Sequence, residues 1–384
     1  MSHVHVCLVS EQTIPNILGI YHFKPDSVWF ITTERMEKDR KTECIENTLR
    51  LKGLRPQTTK TIVDQDSLTD CQSKIESLIE VDVSEEVEYV INITGGNKIM
   101  ALAVYEIFRQ IEQRVIIGYI PIGRNEFIQI FPRKRPLKIF EIKQRLNLEE
   151  YLHSYGFKIQ NKDKLKRDGD RSLSHEDSTK WIMENYEQLK GMMGFLYKML
   201  GDKRKGKNYR LSCQFNRDLT GIERELLRKF AFNANAGLIE KDMTKDEIIY
   251  LTGGWFEEYV FNDVYELKEK NIIDDIMLGM KIESLGGAVN DLDISFMKNN
   301  VFYYIECKTL GDESEQAIVR DEVYKKGAIS ALLGKGEKRA IICTTHDQIS
   351  GALSARAKEY GVEILPIQQV RDLKNRLLKR FGVH

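Results

Sequence analysis

The stretch Asn290–Thr309, NDLDISFMKNNVFYYIECKT, places acids and a lysine inside what otherwise reads as a buried β-hairpin. Leu292, Ile294 and Phe296 alternate with Asp291, Asp293 and Ser295, so the first strand has one apolar and one polar face. In the second strand Val301, Tyr303, Ile305 and Cys307 share one face; Phe302, Tyr304, Glu306 and Lys308 share the other. Asparagine tolerates the positive φ of a two-residue hairpin turn, so Asn299-Asn300 predicts a turn that pairs Lys298 with Val301. That register sets Asp293 opposite Glu306 and Asp291 opposite Lys308, with Cβ atoms about 4.5–5.5 Å apart. Facing carboxylates repel unless something positive stands between them. Mg²⁺ or Mn²⁺, which takes carboxylate, water and phosphate oxygens, meets that need. Lys308 is then placed to orient or deprotonate an attacking water, or to offset charge on a scissile phosphate. The set predicts metal-assisted phosphodiester hydrolysis. The plainer alternative makes Asp291 and Asp293 the solvated face of an edge hairpin with Lys308 as their surface partner, since short charge patterns recur by chance.

Working outward, the preceding helix in YLTGGWFEEYVFNDVYELKEK aligns Glu257 with Val260, Phe261 and Val264 on its inward stripe, and Glu258 with Asn262 and Tyr265. An inward carboxylate there suits a further metal ligand or a group just behind the ligands. The strand-like DIMLGMKIES lies before the hairpin; a helix around Arg320 to Leu333 and the strand KRAIICTT lie after it, which makes residues 246–384 an α/β unit. Gly254 and Glu257 on a helix, Asn290 to Asp293 on a strand, then Glu306-Cys307-Lys308 resemble the restriction-endonuclease-like PD-(D/E)xK nuclease superfamily. The resemblance implies that Asp293 and Glu306, with the backbone carbonyl of Cys307, are metal ligands and that Lys308 is the catalytic lysine. Leu292 stands where that pattern has proline. Lys325 is a candidate phosphate contact, or simply a solvated helix lysine.

At the other end, HVHVCLVS, SVWFITTE, KTIVDQD, EYVINIT and RVIIGYIPI read as strands, with helices at Met36–Leu51, Ser67–Ile79 and Ile99–Gln110. That is the β-α-β rhythm of a helix-covered parallel sheet, and EFIQIFP adds a closing hairpin before a boundary near residue 145. Between the fourth strand and its helix, Thr94-Gly95-Gly96-Asn97-Lys98 lets backbone N–H groups and a helix N-terminus approach an anion. It fits neither the P-loop nor the dinucleotide glycine fingerprint. The first loop adds Ser10, Gln12 and Asn16 at the same carboxyl edge, where open α/β sheets bind ligands.

The TGGNK turn resembles the signature of CRISPR-associated Rossmann-fold (CARF) domains, with Asn97 where threonine is common. Together the two ends resemble the CARF-endonuclease accessory effectors of type III CRISPR systems. The resemblance implies a homodimer whose CARF domains share a cyclic oligoadenylate, cyclic tetra-adenylate above all, across the two-fold axis. Ser10, Thr94, Gly95, Gly96, Asn97 and Lys98 would contact it, and its binding would switch the nuclease domains on single-stranded RNA or DNA and plasmid DNA.

The rest of the chain sets bounds. Its 384 residues suffice for two or three domains, and 58 Lys and Arg balance 58 Asp and Glu, so any nucleic-acid surface must be local. Residues 146–245, with the charged connectors KDKLKRDGDR and GDKRKGK, predict a helical spacer or subdomain. Six scattered cysteines without a CxxC pair argue against zinc and disulfides, and the lack of a signal peptide or membrane span fits a cytoplasmic protein. A non-catalytic sensor, a ligand-independent restriction or repair nuclease, and a dinucleotide oxidoreductase are the rival readings; the last lacks its glycine fingerprint.

Overall fold

The computed structural model describes residues 2–81, 87–111, 114–121, 123–309, 323 and 339–383. The first sheet contains β1 (Ser2–Leu8), β2 (Ser27–Thr32), β3 (Gln57–Ile62), β4 (Val87–Asn92), β5 (Arg114–Tyr119), β6 (Glu126–Phe131) and β7 (Ile139–Glu141). Their spatial order is β3-β2-β1-β4-β5-β6-β7. The first five run parallel and the last two antiparallel, as the alternating pattern predicts. Strand order reverses between β1 and β4, where Cys7 lies beside Asn92. The loops after these two strands therefore emerge together, the position at which doubly wound sheets bind ligands.

The expected helix over 36–51 is two helices, Glu34–Lys38 and Lys41–Leu51, because Arg40 adopts φ 55° between them. The other two expected helices form at Leu68–Val81 and Lys98–Phe108.

Residues 146–245 are more than a helical spacer. Phe157–Ile159 forms β8, which pairs with the edge of the second sheet, and Tyr209–Gln214, Asn233–Asn235 and Leu238–Met243 (β9, β10, β11) make a small antiparallel sheet. The apolar stretch 181–200 forms the end of helix 176–184 and helix 186–200, broken at Asn185. The buried side chains Met183, Leu189, Met192 and Leu196 pack in one core with Trp255, Phe256, Val260 and Ile305. The middle stretch thus completes the C-terminal unit instead of separating it from the sensor.

The second sheet has β12 (Asp275–Ser284), β13 (Val289–Lys298), β14 (Val301–Lys308), β15 (Ala340–Thr344) and β16 (Val362–Leu365), in the order β16-β15-β14-β13-β12-β8. The β13–β14 pair is the expected hairpin: Lys298 faces Val301, and Asn299 and Asn300 take φ 51° and 63°. One continuous core joins Ile17, Phe30 and Phe127 of the first sheet's layer, through Tyr151 and Phe157, to Leu292, Phe302 and Tyr304 of the second. The two end domains therefore share a packed seam. Among the described residues no helix is long and apolar enough to cross a membrane, and the six cysteines are free.

Candidate nuclease and activator sites

The nuclease candidate sits where β13 parts from β14 and its ladder with β12 skips one pair. The β13–β14 ladder ends at Ile294 and Ile305, one step before Asp293 and Glu306, so the two acids lie just past the last backbone pair. Instead of a further backbone pair, Asp293 Oδ2 accepts the N–H of Cys307 at 2.8 Å. On the other side, the β12–β13 ladder passes from Leu278–Ile294 to Met280–Leu292 and skips Gly279, which has φ 67°. Leu278 and Ile294 belong to one core, Met280 and Leu292 to the other. Both strands thus change face at this point, and strict alternation of Leu292 with Ile294 does not hold. A left-handed residue resets the pleat, which only glycine does without strain. Asn161 bridges the gap, donating to Gly279 O at 2.8 Å and accepting from Lys281 N at 2.9 Å.

Glu306 is buried, 4 % exposed, and Lys308 Nζ donates to its Oε1 at 2.9 Å. The expected pairing of Asp291 with Lys308 does not form. The strands have already parted, and Asp291 lies instead against Lys281 of β12, at 3.3 Å on the exposed surface. Glu257 projects from helix Trp255–Glu269 toward the same centre. Its carboxyl is pushed up to about 8, first by burial and then by the charge of Asp293; Arg204 opposes the shift, Glu306 adds to it and Lys308 also opposes it. Although an edge of Glu257 remains accessible, these couplings mark it as the third acid of the cluster. Cys307, whose carbonyl is the expected third oxygen, is itself buried, and burial pushes its thiol up.

The turn before this helix explains the local sequence. At Gly253, φ is 142°, and a Cβ would stand 2.7 Å from Thr309 Oγ1, just beyond the catalytic strand. A side chain here would prise the helix start from the end of β14. Glu258, assigned by periodicity to the outer side, is buried too: His175 Nδ1 lies 2.8 Å from its Oε2, and Asn262 beside it holds Ser172. Helices 162–174 and 176–184 cover that flank, which is why a one-sided helical pattern misplaced it. Lys325 and the helix expected around 320–333 fall outside the described residues.

The activator candidate has the opposite construction. Asn16 is 1 % exposed; its amide donates to Leu8 O at 2.9 Å and accepts from Asn92 at 3.0 Å, so it fastens the β1 loop. Thr94 Oγ1 donates to Asn92 Oδ1 and accepts Ile120 N at 2.7 Å. Asn97 caps its helix, accepting Met100 N at 2.9 Å and donating to Gln65 O at 2.6 Å. Gln12 accepts from Tyr155 OH at 3.1 Å, across the seam. What remains accessible is half-buried Gly96, exposed Lys98 and half-buried Ser10, with Gly95 buried against the β1 loop. A Cβ on Gly95 would lie 2.0 Å from Leu8 O, so this turn requires glycine for close approach.

A doubly wound sensor sheet packed against an α/β domain with a two-carboxylate-and-lysine centre defines a ligand-sensing nuclease architecture. Residues 4–151 match the family described as the Card1 CARF domain, and residues 244–384 match the Card1-like endonuclease domain. The chain therefore belongs with the proteins that join a Card1-type CARF domain to a Card1-like endonuclease domain. Its fold is shared with protein VC1899 from Vibrio cholerae, at 19 % identity and TM-score 0.81 over 99 % of this chain and 98 % of that one. It is shared too with Can2 from Sulfobacillus thermosulfidooxidans, solved with cyclic tetra-adenylate, at 18 % identity and TM-score 0.78 over 99 % and 97 %. A type III CRISPR defence DNA nuclease activated by cyclic oligoadenylate matches at 15 % identity and TM-score 0.59, over 99 % of this chain and 52 % of that one. No curated protein sequence matches the chain.

Proposed function

We propose that the protein is a metal-dependent nuclease of type III CRISPR antiviral defence, acting in the cytoplasm as a homodimer and switched on by cyclic tetra-adenylate. Its substrates are single-stranded RNA or DNA, with nicking of plasmid DNA as an accompanying activity. The observation that carries this reading is the β13–β14 hairpin, which holds Asp293, Glu306 and Lys308 at one end and is clamped to the sensor domain at the other. At its turn, Asn300 Nδ2 donates to Asn125 Oδ1 at 2.7 Å and to Gln144 O at 3.0 Å, and its Oδ1 accepts Leu146 N at 2.8 Å. Phe302, two residues on, stacks on Tyr151 with ring centroids 5.5 Å apart, and Tyr151 neighbours the Tyr155 that holds Gln12 of the sensor loop. A shift of that loop bears directly on the strand carrying Glu306.

Among the described residues no three His, Cys, Asp or Glu side chains form a ready-made metal cage. The donor set is two carboxylates, Asp293 and Glu306, and the carbonyl of Cys307. That hard-oxygen set, crowded enough to keep Glu257 protonated near neutrality, fits Mg²⁺ or Mn²⁺ with its own waters. When bound, such an ion supplies Lewis-acid stabilisation of the charge that builds on the phosphate. Asp293 also fixes the backbone of Cys307, and so aims its carbonyl. Lys308, tethered by Glu306, holds positive charge where the attacking water and the phosphate oxygens meet. In the metal-free site Glu257 holds a proton beside that centre. At the sensor, the N–H of half-buried Gly96, with exposed Lys98 and half-buried Ser10, presents donors to the activator's phosphates.

The test is purified protein with each cyclic oligoadenylate in turn, with Mg²⁺ or Mn²⁺, against labelled RNA, single-stranded DNA and supercoiled plasmid. Cleavage that depends on cyclic tetra-adenylate is expected. Absence of cleavage in every combination sinks the enzyme reading, and equal cleavage without activator sinks the switch.

A further inference from the structure

The middle segment carries charge that neither site uses. Residues 201–237 hold nine Lys and Arg against four Asp and Glu, in a chain that is neutral overall. Several of these cations are engaged: Lys203 with Asp202 at 2.8 Å and over the Tyr209 ring, Arg217 with Glu223, Lys229 with Glu225 at 4.0 Å, and Arg210 with Asp242 at 3.5 Å. Arg204, Lys205 and Lys207 have no acidic partner among the described residues. Helix 186–200 delivers them to the catalytic strand. Its residues Met193, Gly194 and Tyr197 line one crevice with Gly253, Trp255 and Thr309, the residue after Lys308. The loop that follows the helix therefore begins where the catalytic strand ends. Half-buried Arg204 lies near enough to Glu257 for its charge to be felt there, yet forms no ion pair with it.

Resting on the nuclease reading above, we infer that the loop Lys203–Lys207 is a binding site for the phosphodiester backbone of the substrate, in which Arg204 positions the phosphate to be cut and Lys205 and Lys207 hold its neighbours. Arginine offers a rigid fork matched to phosphate oxygens, and flexible lysines suit adjacent phosphates. Nothing in this arrangement reads base identity, so the loop predicts sequence-tolerant binding. It also resolves how a neutral chain engages a polyanion: the cationic field is concentrated at the mouth of one acidic centre.

The experiment compares wild type, Arg204→Ala, Arg204→Lys, the double variant Lys205→Ala/Lys207→Ala and, from the same segment, Arg224→Ala/Arg228→Ala. Binding of a labelled mixed-sequence single-stranded oligonucleotide is read by anisotropy in EDTA with cyclic tetra-adenylate over a KCl series, and cleavage kinetics follow with Mn²⁺. Each phosphate contact on a single strand contributes about 0.7 to the slope of log K against log salt, so the lysine double variant should flatten it by about 1.4. Its KM should rise about 5–20-fold. For Arg204→Ala the loss should fall on kcat, about 10–100-fold, with partial recovery in Arg204→Lys. Unchanged slope and kinetics in loop variants that melt like wild type overturn the proposal, as does an equal effect from Arg224→Ala/Arg228→Ala, which would mean diffuse charge. The two readings fail separately: wild type that binds the oligonucleotide with a loop-dependent slope but never cuts overturns the nuclease reading, whereas wild type that cuts with indifferent loop variants overturns only the loop.

Discussion

The two candidate sites use opposite halves of the polypeptide. At the TGGNK turn the side chains are engaged in scaffolding: Asn16 and Asn92 lock the β1 loop, Thr94 ties β4 to β5 and Asn97 caps its helix, which leaves half-buried Gly96 and exposed Lys98 accessible. At Asp293 the backbone ladders are interrupted on both sides so that carboxylates can converge. The difference fits the tasks proposed for the two sites. A large, diffuse anion is met by many weak, fixed dipoles, whereas a small hard cation and one scissile bond need concentrated charge.

The largest effect expected from breaking this contrast is at the carboxylates. Glu306→Gln keeps the shape and removes the charge, and activated cleavage should fall about 1,000-fold or more while binding of cyclic tetra-adenylate, followed by calorimetry, is retained. At the other site the backbone is the target. Gly95→Ala pushes a methyl against Leu8 O, and the activator concentration for half-maximal cleavage should rise about 100-fold, with nuclease-site geometry untouched. Between the two lies the clamp. Asn300→Gly preserves the positive-φ turn but removes its contacts to Asn125, Gln144 and Leu146, so the ratio of activated to basal cleavage should drop about 10-fold with activator affinity little changed. Full activation in that variant would separate the hairpin from the switch.

The smallest effect concerns protons. Glu257 is raised from its ordinary 4.5 to about 8, so between those pH values the folded protein keeps a proton that the unfolded chain has released. Stability of the metal-free protein should therefore decline as pH rises from 6 to 9, by roughly 2–4 °C in melting temperature, and Glu257→Gln should flatten the profile. A profile that is flat already in the wild type removes Glu257 from the acidic cluster.

Much of this was legible in the sequence because it is local. A two-residue turn of asparagines fixes hairpin register by itself, and so Lys298 pairs with Val301 and the ladder runs as expected to Ile294 and Ile305. The parallel sensor sheet followed from alternating apolar runs, and its glycine turn from spacing. What misled were places where distant chain changes a local rule. Alternation placed Leu292 with Ile294, but Gly279 on the neighbouring strand resets the pleat. Periodicity put Glu258 outside, but two helices from the middle segment bury it. Asn16 has the chemistry of a ligand contact, yet in the core Leu8 O and Asn92 engage its amide, since an unsatisfied polar group there costs about 1–3 kcal/mol.

The sequence by itself determined the elements, the order of the two end domains and the identity of the acids and the lysine, because each depends on neighbours within a few residues. Tertiary structure alone decided that the middle segment builds the nuclease domain and that the hairpin turn seats in the sensor. Those relations join residues tens to hundreds of positions apart, and no local periodicity encodes a contact whose partner lies that far along the chain.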